Sequence, residues 1–141
     1  MSSEPSLFQL LKHAQLRLSE LTAEALSPHG ITGRELAVLR VLADREPASQ
    51  QQAAERLGVD RTTMVALLDG LEDKELVTRH PDAGDRRRNV VELTEQGQGI
   101  LRQARRAADA AERQFLAPLT ESAAGRLKTA LGALTGSTHQ T

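Results

Sequence analysis

The sequence predicts a mainly α-helical protein with a small β-hairpin wing, built as a winged helix-turn-helix with dimerisation helices at both ends. Three observations predict it. Two short capped helices meet at a glycine-containing turn, an arginine-tipped hairpin pattern follows them, and both end segments carry apolar seams at helical spacing. We therefore divide the chain into an N-terminal dimerisation helix (1–30), a winged helix-turn-helix region (31–95) and C-terminal dimerisation helices (96–141).

The N-terminal segment repeats apolar residues at alternating spacings of four and three, which is typical of a helix with one apolar face. They are Leu7, Leu11, Ala14, Leu18, Leu21 and Ala25. We expect Leu7, Leu11 and Leu18 to contact a second copy. His13 and Arg17 lie one turn apart beside this seam, where they form a candidate site for an anionic ligand. The alternative is two solvated side chains.

The central region begins with a short helix. Ser49 is a typical N-cap residue, and the apolar residues that follow share one helical face. These are Ala53, Ala54 and Leu57. Gly58 can end the helix because glycine adopts positive φ without strain.

A second helix is predicted from Arg61 to about Lys74, capped by Asp60. Its apolar side consists of Met64, Val65, Leu67, Leu68 and Leu71, which we interpret as core. In a helix-turn-helix the first residues of the second helix reach base edges in the major groove. Here they are Arg61, Thr62 and Thr63. For the two threonines, an ordinary first helical turn is an equally good explanation.

A β-hairpin is predicted next. The strand-like runs 76–79 and 89–93 flank the turn formers Pro81, Asp82, Ala83 and Gly84. Arg86, Arg87 and Arg88 crowd the tip, although adjacent cations repel each other, and a phosphate backbone or a narrow minor groove would explain them. Asp85 can hold one guanidinium in place. Taken alone, an arginine triplet is better explained as a solvated, mobile turn.

Following a helix-turn-helix, this hairpin predicts a winged DNA-binding unit. The second helix would enter the major groove, and the wing would reach an adjacent minor groove or the backbone. The predicted DNA contacts are Ser49, Gln50, Arg61, Thr62, Thr63, Asp85, Arg86, Arg87 and Arg88.

Two further apolar seams occupy the C-terminal segment. One runs through Leu101, Ala104, Ala108, Ala111 and Phe115, and the other, after Pro118 and the capping residue Thr120, runs through Ala123, Ala124, Leu127, Ala130, Leu131 and Leu134. With two Phe, no Trp and no Tyr, one copy has little bulky material to cover them. We therefore predict a homodimer with contacts at Leu101, Phe115, Leu127 and Leu131, the alternative being packing within one chain. Two-fold symmetry would require a palindromic operator with half-sites about 10 bp apart.

From Gln51 to Gly97 the chain resembles the multiple antibiotic resistance regulator (MarR) family. The residues that carry the likeness are the run Gln52 to Leu57, the run Leu67 to Lys74, and a D-x-R-x5-L-T signature at Asp85, Arg87, Leu93 and Thr94, together with a matching helix entry upstream of this stretch at 31–39. The resemblance implies a ligand-responsive repressor, a small anionic or aromatic effector near the dimer helices, and Arg87 as the principal wing contact. The family usually has Gly where this chain has Glu75, so a left-handed conformation is not expected there.

Composition excludes several other classes. A chain of 141 residues with net charge −1 suits one domain whose DNA binding depends on a local basic surface. The absence of Cys removes disulfides and thiol switches. The four His lack metal-ligand spacing, and we expect neither a cofactor nor an enzymatic activity. Without a membrane span or signal peptide, the expected location is the cytoplasm. The remaining alternative is a helical adaptor that does not bind DNA specifically.

Overall fold

A computed structural model describes residues 3–44 and 48–136. In chain order its elements are α1 (Leu7–Leu26), a 3-10 turn (Ser27–His29), α2 (Gly33–Asp44), β1 (Ala48–Ser49), α3 (Gln50–Leu57), α4 (Arg61–Asp73), β2 (Val77–Pro81), β3 (Asn89–Leu93), α5 (Glu95–Leu116) and α6 (Glu121–Thr135). This mainly helical chain with one small sheet confirms the predicted fold class.

The helix caps are those that the sequence predicts. The Ser49 hydroxyl accepts a hydrogen bond from the Gln52 backbone N–H at 3.1 Å, and the Gln52 side chain accepts one from the Ser49 N–H at 3.0 Å. Gly58 ends α3 with φ 68°, and Asp60 caps α4. Because these caps fix where each helix starts and stops, they set the turn between α3 and α4.

The sheet differs from the prediction in two respects. First, a third strand, β1, pairs with β3 of the predicted hairpin, so that the strand order is β1-β3-β2, with both pairings antiparallel. The expectation that Pro81 belongs to the turn is wrong, because it pairs with Asn89 at the end of β2. Just beyond it, the Asp82 N–H donates to the Arg88 carbonyl at 2.8 Å and keeps the strands together. The two-residue strand β1 is too short to leave an alternation pattern in the sequence.

The turn from α4 to β2 overturns another expectation. Glu75 adopts φ 63°, the left-handed conformation that its side chain disfavours. Its N–H donates to the Glu72 carbonyl at 2.9 Å, and the Leu76 N–H donates to the Leu71 carbonyl at 3.0 Å. These two bonds form a Schellman motif, and the buried Leu71 and Leu76 occupy the positions of its apolar contact. The helix termination imposes the conformation that Gly usually supplies.

Helix α5 begins in close contact with β2. Thr94 caps it by accepting a hydrogen bond from the Gly97 N–H at 2.9 Å, and the Thr94 hydroxyl donates to the Glu75 carbonyl at 2.7 Å. A Cβ atom on Gly97 would overlap the Leu76 carbonyl oxygen. Glycine is therefore required here for a close approach of two backbone segments rather than for an unusual φ.

One apolar core joins the central region to parts of both end segments. Its largest fully buried side chains are Leu26, Leu39, Leu42, Met64, Leu68, Leu71, Val38, Val77 and Val91. Leu101 and Ala104 of α5 belong to the same cluster. The first half of α5 is thus part of the winged unit, whereas the sequence analysis treats it as a seam for a second copy.

The terminal helices extend away from this core. Helix α1 packs along α5, but α6 has no buried residue. An ion pair links α6 to α5, with Lys128 Nζ 2.8 Å from Glu112 Oε2. Helix α6 therefore leaves its apolar residues accessible in a single copy.

Candidate nucleic-acid interface

Helix α4 presents its first turn to solvent. Asp60 Oδ1 accepts the Thr63 N–H at 2.7 Å, and this hydrogen bond holds the pKa of Asp60 below its ordinary value because it favours the ionised carboxylate. Arg61 and Thr62 are exposed, whereas Thr63 is half-buried. Arg61 and Thr62 are therefore free to meet bases or phosphates.

At the start of α3, the two predicted contacts differ in availability. Ser49 is buried and its hydroxyl is occupied by the cap of α3. Gln50 is half-buried, and its Oε1 accepts a hydrogen bond from Arg79 Nη1 at 3.4 Å. The neighbouring Gln51, which the sequence analysis did not select, is exposed. Ser49 thus orients α3, and Gln51 is the more accessible side chain of the three.

The wing tip is an ordered turn built by two aspartates. Asp82 Oδ1 accepts the Gly84 N–H at 3.1 Å, and the Arg88 N–H donates to the Asp85 carbonyl at 3.0 Å. Asp85 Oδ1 accepts both the Arg87 N–H at 3.0 Å and Arg87 Nε at 3.4 Å. The Arg87 side chain nevertheless remains 93% exposed. Asp85 therefore directs this guanidinium without covering it, as the sequence analysis expects of one wing arginine.

A cleft of about 500 Å³ separates α3, α4 and the wing. Its lining residues are Ser49, Gln50, Gln51, Ala54, Glu55, Val59, Arg61, Met64, Arg87, Arg88 and Asn89. Three arginines against one glutamate make this lining basic, although the whole chain carries net charge −1. The fold thus brings together five of the predicted contacts: Ser49, Gln50, Arg61, Arg87 and Arg88.

The other four predicted contacts lie outside this cleft. Asp85 and Arg86 are at the wing tip, and Arg86 is exposed. Thr62 lies beside Arg61 on the exposed turn of α4. Thr63 lines a second cleft of about 420 Å³ on another side of α4, together with Arg34 and Asp60.

Arg79 is an important residue that the sequence analysis missed. It lies in the middle of β2, where its Nη2 is 2.5 Å from Asp69 Oδ1 and 2.7 Å from Glu72 Oε1 of α4. The hydrogen bond from Arg79 lowers the pKa of Glu72, and the bond to Glu72 is the main cause that raises the pKa of Arg79. Two carboxylates one helical turn apart, followed by an arginine in the next strand, were the available signal.

The candidate ligand residues His13 and Arg17 are both exposed on α1. Neither lines the two clefts of the winged unit. Their use by an anionic ligand therefore stays a prediction.

The predicted dimer residues fall into three groups. Leu7, Leu11, Leu127 and Leu131 are exposed apolar side chains, and Leu7 is 66% exposed. Leu18 and Phe115 are half-buried. Leu101 is 5% exposed and packs in the core of its own protomer, so it is not accessible to a second copy. Phe8, which the sequence analysis did not select, is 78% exposed.

Metal-binding groups and membrane-spanning helices are both absent from residues 3–44 and 48–136. That part of the chain holds no group of three His, Cys, Asp or Glu able to bind a metal ion. Within the same residues, no helix combines the length and apolarity needed to cross a membrane.

The sequence is similar to that of known transcriptional regulators. The family model described as MarR family matches residues 29–88. The HTH-type transcriptional repressor NicR of Pseudomonas putida is 34% identical over 92 residues, which is 65% of this chain and 58% of NicR. The match thus spans less than two thirds of that relative's length.

Solved structures match over nearly the whole chain. The transcriptional repressor CouR, bound to a 23-mer DNA duplex, has a TM-score of 0.87 at 28% identity and covers 94% of this chain and 99% of its own. CouR from Rhodococcus jostii RHA1 bound to p-coumaroyl-CoA has a TM-score of 0.80 at 26% identity and covers 96% of each chain.

Proposed function

This chain belongs to the MarR family, and we propose that it is a sequence-specific DNA-binding transcriptional repressor rather than an enzyme. The observation that carries the proposal is the basic cleft. Arg61 from the start of α4 and Arg87 and Arg88 from the wing line one concave surface, although they are more than twenty residues apart in sequence. Such a surface can follow a duplex with α4 in the major groove and the wing beside it.

The repressor would act as a homodimer. The leucines of α1 and α6 leave large apolar side chains exposed in one protomer, and a second copy would cover them. The two recognition helices would then meet successive major grooves of a palindromic operator about one helical turn apart. The protein would work in the cytoplasm, where its operator lies.

A small effector would release the operator. CouR and NicR are both transcriptional repressors, and CouR, a structural relative, also binds p-coumaroyl-CoA. An aromatic or anionic molecule that stabilises a dimer with the wrong spacing between recognition helices would lower DNA affinity. His13 and Arg17 of α1 are the candidate anion-binding residues.

The test is selection of bound duplexes from a random DNA library at near-physiological salt, followed by sequencing. We expect enrichment of a palindrome with half-sites about 10 bp apart. An Arg87→Ala, Arg88→Ala variant should lose the enrichment. The matched control, Arg102→Ala with Arg106→Ala, removes the same charge from the exposed surface of α5 and should keep it.

The same experiment tests the alternative. A folded, dimeric protein that enriches no sequence would contradict the proposal and favour a helical adaptor. Equal losses in both variant pairs would mean that net charge, rather than the basic cleft, accounts for binding.

A further inference from the structure

Arg79 connects α3 and α4 with β2, the strand that leads into the wing tip. It projects from β2, its Nη2 reaches Asp69 and Glu72 of α4, and its Nη1 reaches Gln50 of α3 at 3.4 Å. We call this set of contacts the Arg79 bridge. Arg79 forms ion pairs with two acidic residues, whereas every other ion pair among residues 3–44 and 48–136 joins one basic residue to one acidic residue.

The charge of Arg79 is used inside the protein. The side chain is 19% exposed, and two carboxylates face its one guanidinium. By contrast, the Arg87 side chain is 93% exposed, and its ion pair within the described part of the chain is to Asp85. A guanidinium already paired twice has little capacity left for a phosphate, so Arg79 differs in role from the arginines of the wing tip.

The position of the bridge decides its effect. The chain joins α4 to β2 through the turn at Glu75, and Val77 at the start of β2 belongs to the same buried core cluster as Leu71 of α4. These contacts lie together at one end of the strand and form one junction, about which the far end of the strand can pivot relative to the helix. Arg79 makes a second connection three residues beyond Leu76, about 10 Å further along the strand at ~3.3 Å per residue. Two separated connections fix the angle between α4 and the wing as well as their distance.

We propose that Arg79 is a positioning residue for specificity, which sets the spacing between the recognition helix and the wing. This inference rests on the proposed DNA-binding function. The bridge holds Arg61 and Arg87 so that a helix contact and a wing contact are made on the same operator half-site. Without it, each contact is still possible alone, but the two no longer support each other.

The direct test is a double-mutant cycle on operator affinity. In the wild-type background, Arg87→Ala should weaken binding about tenfold or more. In an Arg79→Ala background the same change should cost about twofold or less, because the wing is no longer held in place. A matched cycle that pairs Arg87→Ala with Arg113→Ala on α5 should show independent effects.

A second pair of variants separates positioning from charge repulsion. Arg79→Ala leaves Asp69 and Glu72 unpaired on a helix that faces DNA, and their charge alone could weaken binding. The triple variant Arg79→Ala, Asp69→Asn, Glu72→Gln removes that charge. We expect it to remain defective on the operator and to keep its affinity for random duplex. Full recovery of operator binding would show that repulsion, not position, was the cause.

Rescue provides the third measurement. Arg79→Lys keeps one charge but cannot reach both carboxylates with a planar fork, so we expect intermediate operator affinity and partial coupling to Arg87. Thermal unfolding of each variant identifies losses due to unfolding, because these reduce operator and random-duplex binding in parallel. A parallel loss of both affinities would overturn the proposal. So would a cost of Arg87→Ala that is the same in the wild-type and the Arg79→Ala backgrounds.

The outcomes distinguish this inference from the function on which it rests. If the wild-type protein selects no operator, the proposed function itself fails. If it selects one, and Arg87→Ala costs the same with or without Arg79, only the positioning role fails.

Discussion

Among the described residues, Glu75 is a non-glycine residue held at positive φ, 63°. The preference of L-residues against this region costs about 1–2 kcal/mol. The chain tolerates that cost because the Leu71 and Glu72 carbonyls and the Thr94 hydroxyl all bond to this turn. The identity of residue 75 alone therefore gave the wrong expectation, and the surrounding hydrogen bonds explain why.

Replacing Glu75 with Gly should stabilise the protein by about 1 kcal/mol, because Gly adopts this conformation without a Cβ clash. Urea unfolding at fixed protein concentration measures the change. Glu75→Ala is the control at the same position: it removes the carboxylate, keeps the Cβ and should give no such gain. Equal stabilisation by Gly and Ala would attribute the effect to the charge instead.

Arg87 is the residue-scale test of DNA binding. Its guanidinium is directed by Asp85 and almost fully exposed. Arg87→Ala should weaken operator binding and make its dependence on log salt shallower by about one unit for each phosphate that is no longer neutralised. Fluorescence anisotropy over a series of salt concentrations measures both. Arg113→Ala on α5 should leave the slope intact, and an unchanged slope for Arg87→Ala would remove this residue from the interface.

At the scale of elements, the junction of α5 with β2 determines how the winged unit closes. Gly97 lies against the Leu76 carbonyl with no room for a Cβ, while Leu101 and Ala104 one and two turns later enter the core. The first half of α5 therefore packs in the core of the winged unit, and the rest of the helix packs along α1.

Gly97→Ala should destabilise the protein by about 3 kcal/mol, because the added methyl group meets backbone that cannot move aside easily. Thermal or urea unfolding would measure this loss. Gly99→Ala in the same helix is the control, since its Cβ would make only an ordinary contact with Arg102. That change should be neutral or stabilise by up to about 1 kcal/mol. Similar stability of both variants would show that α5 can shift away from β2.

Elements were predictable from sequence where the signal is local. Ser49, Asp60 and Thr120 cap helices at the expected positions, because a capping side chain bonds to backbone only a few residues away. The Arg79 bridge and the burial of Leu101 depend on how separate elements pack. Helical spacing shows that Leu101 lies on an apolar face, but it does not show what covers that face.

At the scale of the whole molecule, the accessible apolar residues lie at the two ends of the chain. Phe8 and Leu134 are 78% and 75% exposed, and α6 buries none of its residues. Surfaces of this kind on a monomer mark association sites. The predicted division of the chain into segments 1–30, 31–95 and 96–141 stays a prediction, since one core draws residues from all three.

Replacing Leu11 and Leu131 together with Glu should convert a dimer into folded monomers and abolish operator binding. Two exposed positions can accept charge without disturbing the core, so the helical circular dichroism should be kept. Sedimentation velocity measures the mass. Gln15→Glu, an added charge at another exposed position of α1, should remain dimeric. A double variant that is still dimeric would place the contact elsewhere.

Leu101→Glu provides the opposite case. Its side chain is buried in the protomer, so a charge there should unfold the protein rather than dissociate it. A folded monomer from this substitution would return Leu101 to the surface between copies.

Strand β1 ends at Ser49 and α3 begins at the next residue, so no loop separates the sheet from the helix. A residue inserted at this junction would rotate the start of α3 by about 100° and displace its cap from the strand. In the wing tip, the Asp85–Arg87 contact and the start of β3 fix the spacing of the chain from Asp85 onward, whereas the exposed turn residues Ala83 and Gly84 precede that segment. Among related regulators, insertions and deletions should therefore collect at these two turn positions, whereas the length of the chain across Ser49 should stay constant.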